Sequence, residues 1–592
     1  MTVSRARVLA VALAAAVTGG LDPVAAQTDA ANPPVNLAPQ LVPGGGEGDG
    51  TGQRRAGPRV PQGVGVGTLT EIDPASIGLL SGPEAFPIDM WRGMSRPLVE
   101  ALLPRLPIGS RSPTVQNLMS RLLLSAATPP QGEGTSAQLI ATRLQLLLAK
   151  GELAAAERLA AIIPERLADA AIDLARLDLL LLKGDLDDAC GRVTDLMKTR
   201  DEIYYQKVAV YCALRRGDME KAQFGIGLLR DSGDEDATFA SAVNASMGVR
   251  GVRLEGPIAA TPLHLRLLQH AKLPIPAEIL QDRRPGMMQL VARIGSADMA
   301  LRAAAAERAE AAGALSTDSL VALYKAFDFK KPELERAMSI AESDGGARGR
   351  ALLHRAAEAQ EAQPAKATVL QKAWQIARAS DTFYSSVRAN RGFLASLDPR
   401  AELAWFAEDA GRAMFALGDL ERGMEWLRLA QREARRGDWA AASAAALWSL
   451  GRVAGAKGRE VDLTEANIQA WWSKLAPRDK DKAAMRAGLL YAALQGSGDA
   501  IPASAWEMLL IAREKSPSAA GANGDLLLPL AAAVSERRFG ATVVLCLLLV
   551  GEGNLADVSP AGLAVVIQAL NAVGLRKEAR SLALEALIGA GI

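Results

Sequence analysis

The chain has 592 residues, and its 67 Lys+Arg against 66 Asp+Glu leave a formal net charge of +1. That balance excludes a generic polyanion binder, which needs a basic excess or stripe, so no nucleic acid partner is expected. Hydrophobic residues at 49% and charged residues at 22% exclude a wholly disordered, fibrous or disulfide-scaffold chain, and the aromatic content of 4% beside abundant Ala and Leu favours helices over strands.

Met1 to Ala26 places Arg5 and Arg7 ahead of an apolar run from Val8 to Val17. Ten apolar residues fall short of the roughly twenty that span a bilayer, so a cleavable secretory signal is expected, cut before Gln27. Loss of Arg5, Arg7 and Asp22 leaves 65 basic and 65 acidic residues, a neutral exported chain with no stable membrane span. Residues 27–68 are dense in Pro and Gly and bury too little apolar area to offset chain entropy, which predicts a disordered tether. A helical region is expected over 69–135.

The strongest signal lies in 136–250. Gly151-Glu152-Leu153 is followed by Ala156, Gly184-Asp185-Leu186 by Ala189 and Gly217-Asp218-Met219 by Ala222, with the glycines 33 residues apart. Fixed spacing near this length marks stacked helical hairpins. Glycine takes the left-handed conformation that ends one helix, the acid caps or opposes the positive end of the next, and the small alanine lets two helices cross closely.

Here the chain resembles tetratricopeptide repeats, whose unit of about 34 residues carries G-D-x-x-x-A at the turn between its helices. The resemblance covers 137–232 and returns in weaker form at Gly411 and Gly418-Asp419-Leu420, then at Gly451 and Gly458. It departs in the missing first-helix glycine of the early repeats, in Gly423 replacing the crossing alanine, and in the longer spacing from 418 to 458. The expected fold is all-α, an irregular α-solenoid of antiparallel helical hairpins. Between the two repeat regions, 251–395 reads as irregular helix. Pro257, Pro262, Pro274, Pro276 and Pro285 punctuate its start, where a bend between two superhelical arms is expected. Degenerate repeats and a C-terminal helical bundle are expected over 396–592, the run Ala541 to Val550 being too short to cross a membrane and so a buried helix.

Candidate chemistry is sparse. His264 and His270, six apart on one expected helix, point to different faces, His354 stands alone, and no ligand set completes a metal site. The acidic run Asp231 to Asp236 lacks the spacing of a calcium loop and reads as a solvated turn. Neither a catalytic constellation nor a cofactor motif is found. Cys190 and Cys212 lie eleven residues either side of Asp201, at equal height if two antiparallel helices turn there. They are either a disulfide, which export permits, or two small buried hydrophobes. Cys546 sits in an apolar helix. Eight of nine tryptophans fall within 374–506, and they either line a binding surface, with Trp405, Trp426, Trp471 and Trp472 as candidates, or fill irregular gaps in the core. Adjacent helical residues point about 100° apart, so at least one of Trp471 and Trp472 is expected at a surface.

The expected function is a non-enzymatic periplasmic scaffold or adaptor in a Gram-negative envelope assembly, a part of a secretion, motility or assembly machine, with other envelope proteins as partners. The tetratricopeptide resemblance implies protein–protein interaction. The alternatives are a cell-wall enzyme of the lytic-transglycosylase kind and a carrier of a small apolar or glycan ligand.

Overall fold

The computed structural model describes residues 73–592 except 165–166, 168, 255–257, 259, 479 and 514–523. The expected signal (1–26) and tether (27–68) lie outside the described residues. Within them the chain is all-α. Its only extended pairings are the isolated bridges Leu80↔Ser125 and Ser95↔Gln131, and no described helix is long and apolar enough to cross a membrane.

The first helices are α1 (Arg96–Leu102), α2 (Pro113–Leu124), α3 (Ser136–Lys150), α4 (Leu153–Ile162), α5 (Ala170–Lys183), α6 (Leu186–Leu196), α7 (Ile203–Arg216) and α8 (Met219–Asp231). From α3 onward they pair as hairpins: α3 packs on α4, α5 on α6 and α7 on α8, with α5 also against α3 and α4. Each hairpin turns at its glycine, with Gly151, Gly184 and Gly217 at φ of +78°, +92° and +74°. The residues after the glycines return their amides to the helix just ended, Glu152 N to Leu147 O at 2.9 Å, Asp185 N to Leu180 O at 3.0 Å and Asp218 N to Ala213 O at 2.9 Å, so carbonyls that a helix end leaves open are satisfied. The crossing alanines Ala156, Ala189 and Ala222 are buried.

The acid of the motif does more than one job. Asp218 caps α8 by accepting from Lys221 N, and Asp419 does the same for the helix Leu420–Glu433. Glu152 and Asp185 make no such cap. They pair instead with Lys150 at 3.3 Å and Lys183 at 2.7 Å, basic residues at the carbonyl end of the preceding helix. Glu152 also accepts from the Ser120 hydroxyl, and buried Lys150 reaches Gln116, so this first turn is tied to α2.

Three further helices decide the shape of this region: α9 (Ala237–Ser246), α10 (Pro262–Ala271) and α11 (Pro285–Arg293). A bend between two arms is not what forms here. Pro257 lies outside the described residues, and from Pro262 on the chain folds back, with α10 packing on α5, α7 and α9, and α11 on α3 and α5. Arg266 of α10 is buried and donates Nε to Leu181 O at 2.7 Å and Nη2 to Leu182 O at 3.1 Å, laying its charge on the negative end of α5. Gly286 of α11 lies so close to the end of α3 that a Cβ there would stand 2.1 Å from Leu148 O. Proline supplies the first helical residues of α10 and α11, where its missing N–H costs nothing.

The C-terminal half adds the helices Ala407–Ala416, Leu420–Glu433 and Asp438–Ala454, which pack in succession. Gly411 and Gly451 lie inside helices. A Cβ on Gly411 would meet Leu447 at 2.6 Å, and one on Gly451 would meet the Met424 sulfur at 3.2 Å, so both are sites of close helix approach. Gly418 is a true turn residue at φ +76°, but the following long helix ends at Gly455 (φ +90°) and not at Gly458 (φ +121°), because Gly455 returns its amide to Arg452 O.

The last helices, Phe539–Val550 and Arg576–Gly589, reach back to the first described residues. Both pack against α2. Gly540 N donates to Met90 O at 2.9 Å, Phe539 meets Phe86 edge-on at 5.0 Å, and Arg121 pairs with Glu578 at 2.6 Å. Glu585 is buried and accepts from the hydroxyls of Ser112 and Thr114 and from Thr114 N.

Two glycine substitutions separate backbone strain from crowding. Gly217→Ala, at positive φ in open space, should cost about 1 kcal/mol from the left-handed conformation alone. Gly151→Ala carries the same strain and also drives a Cβ to 2.6 Å from Ala314 and 3.1 Å from the Gly286 backbone, so it should cost at least about 2 kcal/mol. Urea unfolding midpoints of the two variants give the comparison, and equal losses would contradict the packing of α11 on this turn.

Candidate functional site

The return of α10 and α11 leaves a groove of about 360 Å³ between them and α3 and α5. Leu146, Leu174, Leu182 and Met287 supply apolar walls, and the polar groups that reach it include Gln145, Asp178 and Arg284. A concave, mostly apolar site of a few hundred Å³ with a few placed polar groups is the usual form of a ligand pocket.

Asp178 is the unusual member. It stands in the stretch Leu177-Asp178-Leu179-Leu180 of α5, lines the groove, and is otherwise enclosed by protein. Burial pushes its carboxyl up to about 6, against the opposing pull of the Tyr204 hydroxyl and the Arg284 charge. Tyr204 Oη, from α7, donates to Asp178 Oδ1 at 2.5 Å. Burial and the neighbouring carboxylate together push the Tyr204 phenol well above its ordinary range. Arg284 is committed elsewhere, bonding Asp282 and the carbonyl of Ala260.

A hydrogen-bonded cluster continues from this point. Thr261, which influences Tyr204, caps α10 and meets His264 Nδ1 at 2.7 Å. His264 Nε2 lies 2.8 Å from Asp236, and Lys207 bonds both Asp236 at 2.7 Å and Asp234 at 2.8 Å. Asp236 also caps α9 through Phe239 N. Burial alone would raise the Asp236 carboxyl, but the contacts from His264 and Lys207 hold it far below the usual carboxylate range. The acidic run is therefore half committed to Lys207 and to a helix cap, and both nitrogens of His264 are engaged. His354 is buried with Nδ1 2.9 Å from Asn390 Oδ1, while His270 lies on the surface against Tyr211. Among the described residues no group of three His, Cys, Asp or Glu could hold a metal ion.

Cys190 and Cys212 form a disulfide between α6 and α7, with Cα atoms 5.6 Å apart. Cys546 is buried, which pushes its thiol up and leaves it a poor nucleophile. Of the two tryptophan alternatives, the core one holds for Trp426 and Trp471, which are corrected as surface candidates. Trp426 is 0% exposed and Trp471 1% exposed, so neither offers a surface. Trp426 meets Phe406 edge-on at 6.2 Å, and Phe406 stacks on Trp374 at 5.5 Å, a ring cluster that fills the space between helices. Trp472 is half-buried against Trp471. Among the described residues the exposed tryptophans are Trp405 at 37% and Trp439 at 44%.

The groove acid was missed because its partner comes from another helix, 26 residues on. The available signal was an aspartate embedded in the leucine run of α5, since a charge that interrupts a buried face is costly unless it is paired or used.

Folded Asp178 titrates near 6, whereas an unfolded aspartate titrates near 4. The folded state thus holds a proton that the unfolded state releases in that window, and this group's contribution to stability falls as pH rises from about 4 to 6, then levels off. Asp178→Asn, which still accepts from Tyr204, should remove about 2 kcal/mol of that fall. Urea unfolding of both proteins at pH 4.5 and 7.0 measures it, and identical pH dependence would contradict the burial of this carboxyl.

No family model, curated protein or solved structure matches this chain, so the groove and its chemistry carry the functional argument.

Proposed function

We propose that the chain is a non-enzymatic scaffold of the periplasm, reached through the amino-terminal signal, that holds another envelope protein in the groove between the α3–α5 face and the returning α10–α11. The hairpins with 33-residue spacing are read as a short tetratricopeptide-like array, the degenerate pattern around Gly418 as a relic of the same unit. The observation that carries the reading is the groove itself: apolar walls on helices around an acid with no ion pair of its own, a surface suited to recognition. Two features support the address. The Cys190–Cys212 bond belongs to an oxidising compartment, and the sequence from Met1 to Ala26 has the form of an export signal. A second reading, a carrier of a small apolar ligand, is favoured by the groove volume of about 360 Å³, which lies within the range of small-molecule sites.

A photo-crosslinking residue at Gln145, in the groove, and another at Glu361, exposed and far along the chain, test the proposal in the native envelope. A discrete crosslinked protein from position 145 and none from 361 is expected. The same products from both positions, or none from 145, would overturn it.

A further inference from the structure

Most charged groups enclosed by this fold are already answered. Glu307 takes Nε and Nη2 of Arg350, Glu310 takes Arg388 in the same forked way, Asp173 holds Arg192 and Arg200, and Glu408 holds Arg412 and Arg478. Among the described acids, Glu585 and Asp178 accept hydrogen bonds from neutral donors. Glu585 is answered by three hydrogen bonds from Ser112 and Thr114 and also feels the charge of Arg388. Asp178 has one, from Tyr204, and its side chain lines an open groove.

An ionised carboxylate in an apolar setting without a cation is costly, and the cost is relieved when a cation arrives. Arg284 acts on Asp178 through its charge but makes no bond to it, because Asp282 and the Ala260 carbonyl hold its guanidinium. The other groups that reach the Asp178 carboxyl or its walls are the Tyr204 phenol, Thr142 and Gln145, all neutral near pH 7. The groove therefore offers one net acceptor of positive charge at its base, with leucine walls on α3 and α5 beside it.

Resting on the reading that this groove is the docking surface, we propose that what it recognises is an amine set in an apolar segment of a partner protein: a lysine side chain whose ammonium meets Asp178 while flanking apolar residues lie along Leu146, Leu174 and Leu182. The lysine stem suits such a place, since its methylenes pack on apolar walls while the charge reaches the carboxylate. Acidic or purely aliphatic segments lack the complement to Asp178 and are discriminated against, by repulsion in the first case and by leaving the acid unanswered in the second.

The test uses the full chain and three probes with one tail and different heads, n-hexylammonium, 1-hexanol and n-hexanoate, followed at pH 7.5 by ligand-observed NMR on wild type and on Asp178→Asn. Hexylammonium should bind at least about fivefold more tightly than hexanol, with hexanoate weakest, a gap on the scale of one partly buried ion pair. Asp178→Asn keeps an acceptor for Tyr204 and should bring hexylammonium and hexanol to within about twofold of each other. Equal binding of all three probes by wild type would overturn this inference and leave the groove as a docking surface. A preference for hexanoate would overturn it by making Arg284 the anchor. Failure of every probe to bind wild type would overturn the docking surface and this inference together.

Discussion

The carbonyl ends of α3 and α5 are the places on which the rest of this structure depends. A helix leaves its last four carbonyls without partners of its own, and here the glycine turns answer only some of them. At α5 two more are met from far along the chain, where Arg266 donates to Leu181 and Leu182, 85 and 84 residues away, and at α3 Gly286 brings its bare backbone close against Leu148. Because those two contacts fix α10 and α11 over α5 and α3, they also set the walls of the groove. The feature that ends two helices thus positions the candidate site, and the absence of a side chain at Gly286 is what allows the approach.

A second set of contacts joins segments far apart in sequence. Arg121 and Glu578 are separated by 457 residues, and Thr114 and Glu585 by 471. Local hairpins fold on nearby contacts, but this junction requires the chain to be nearly complete before its charges and hydroxyls meet. The buried Glu585 adds specificity, since its carboxyl is pushed up by burial and is satisfied only when Ser112 and Thr114 are in place. The two sets of contacts have different characters. One caps helix ends within the repeats, and the other ties the first described helices to the last.

Much of the helical order was legible from residue spacing. Gly151, Gly184 and Gly217 stand at left-handed turns because the motif that reveals them is the motif that makes them. The apolar run Ala541 to Val550 lies in the helix Phe539–Val550, most of whose residues are buried. Prolines at 262 and 285 mark breaks, but a break does not say where the chain goes next. They start α10 and α11, whose direction is set by Arg266 and Gly286 meeting helix ends earlier in the chain. Tryptophan clustering left Trp426 and Trp471 open between core and surface because large rings serve either, and packing decides for the core. Asp178 was hidden by the same limit, as its meaning depends on Tyr204 from another hairpin and on the groove that α11 closes.

The central claim is that the space between the α3–α5 face and α10–α11 is where a partner is held. Hydrogen–deuterium exchange, read on the chain alone and on the chain in the complex isolated from its native envelope, addresses this directly. Protection gained together in residues 142–149, 174–182 and 284–288 is the result this account predicts. Protection confined to the exposed rings at Trp405 and Trp439, with the groove unchanged, would contradict it.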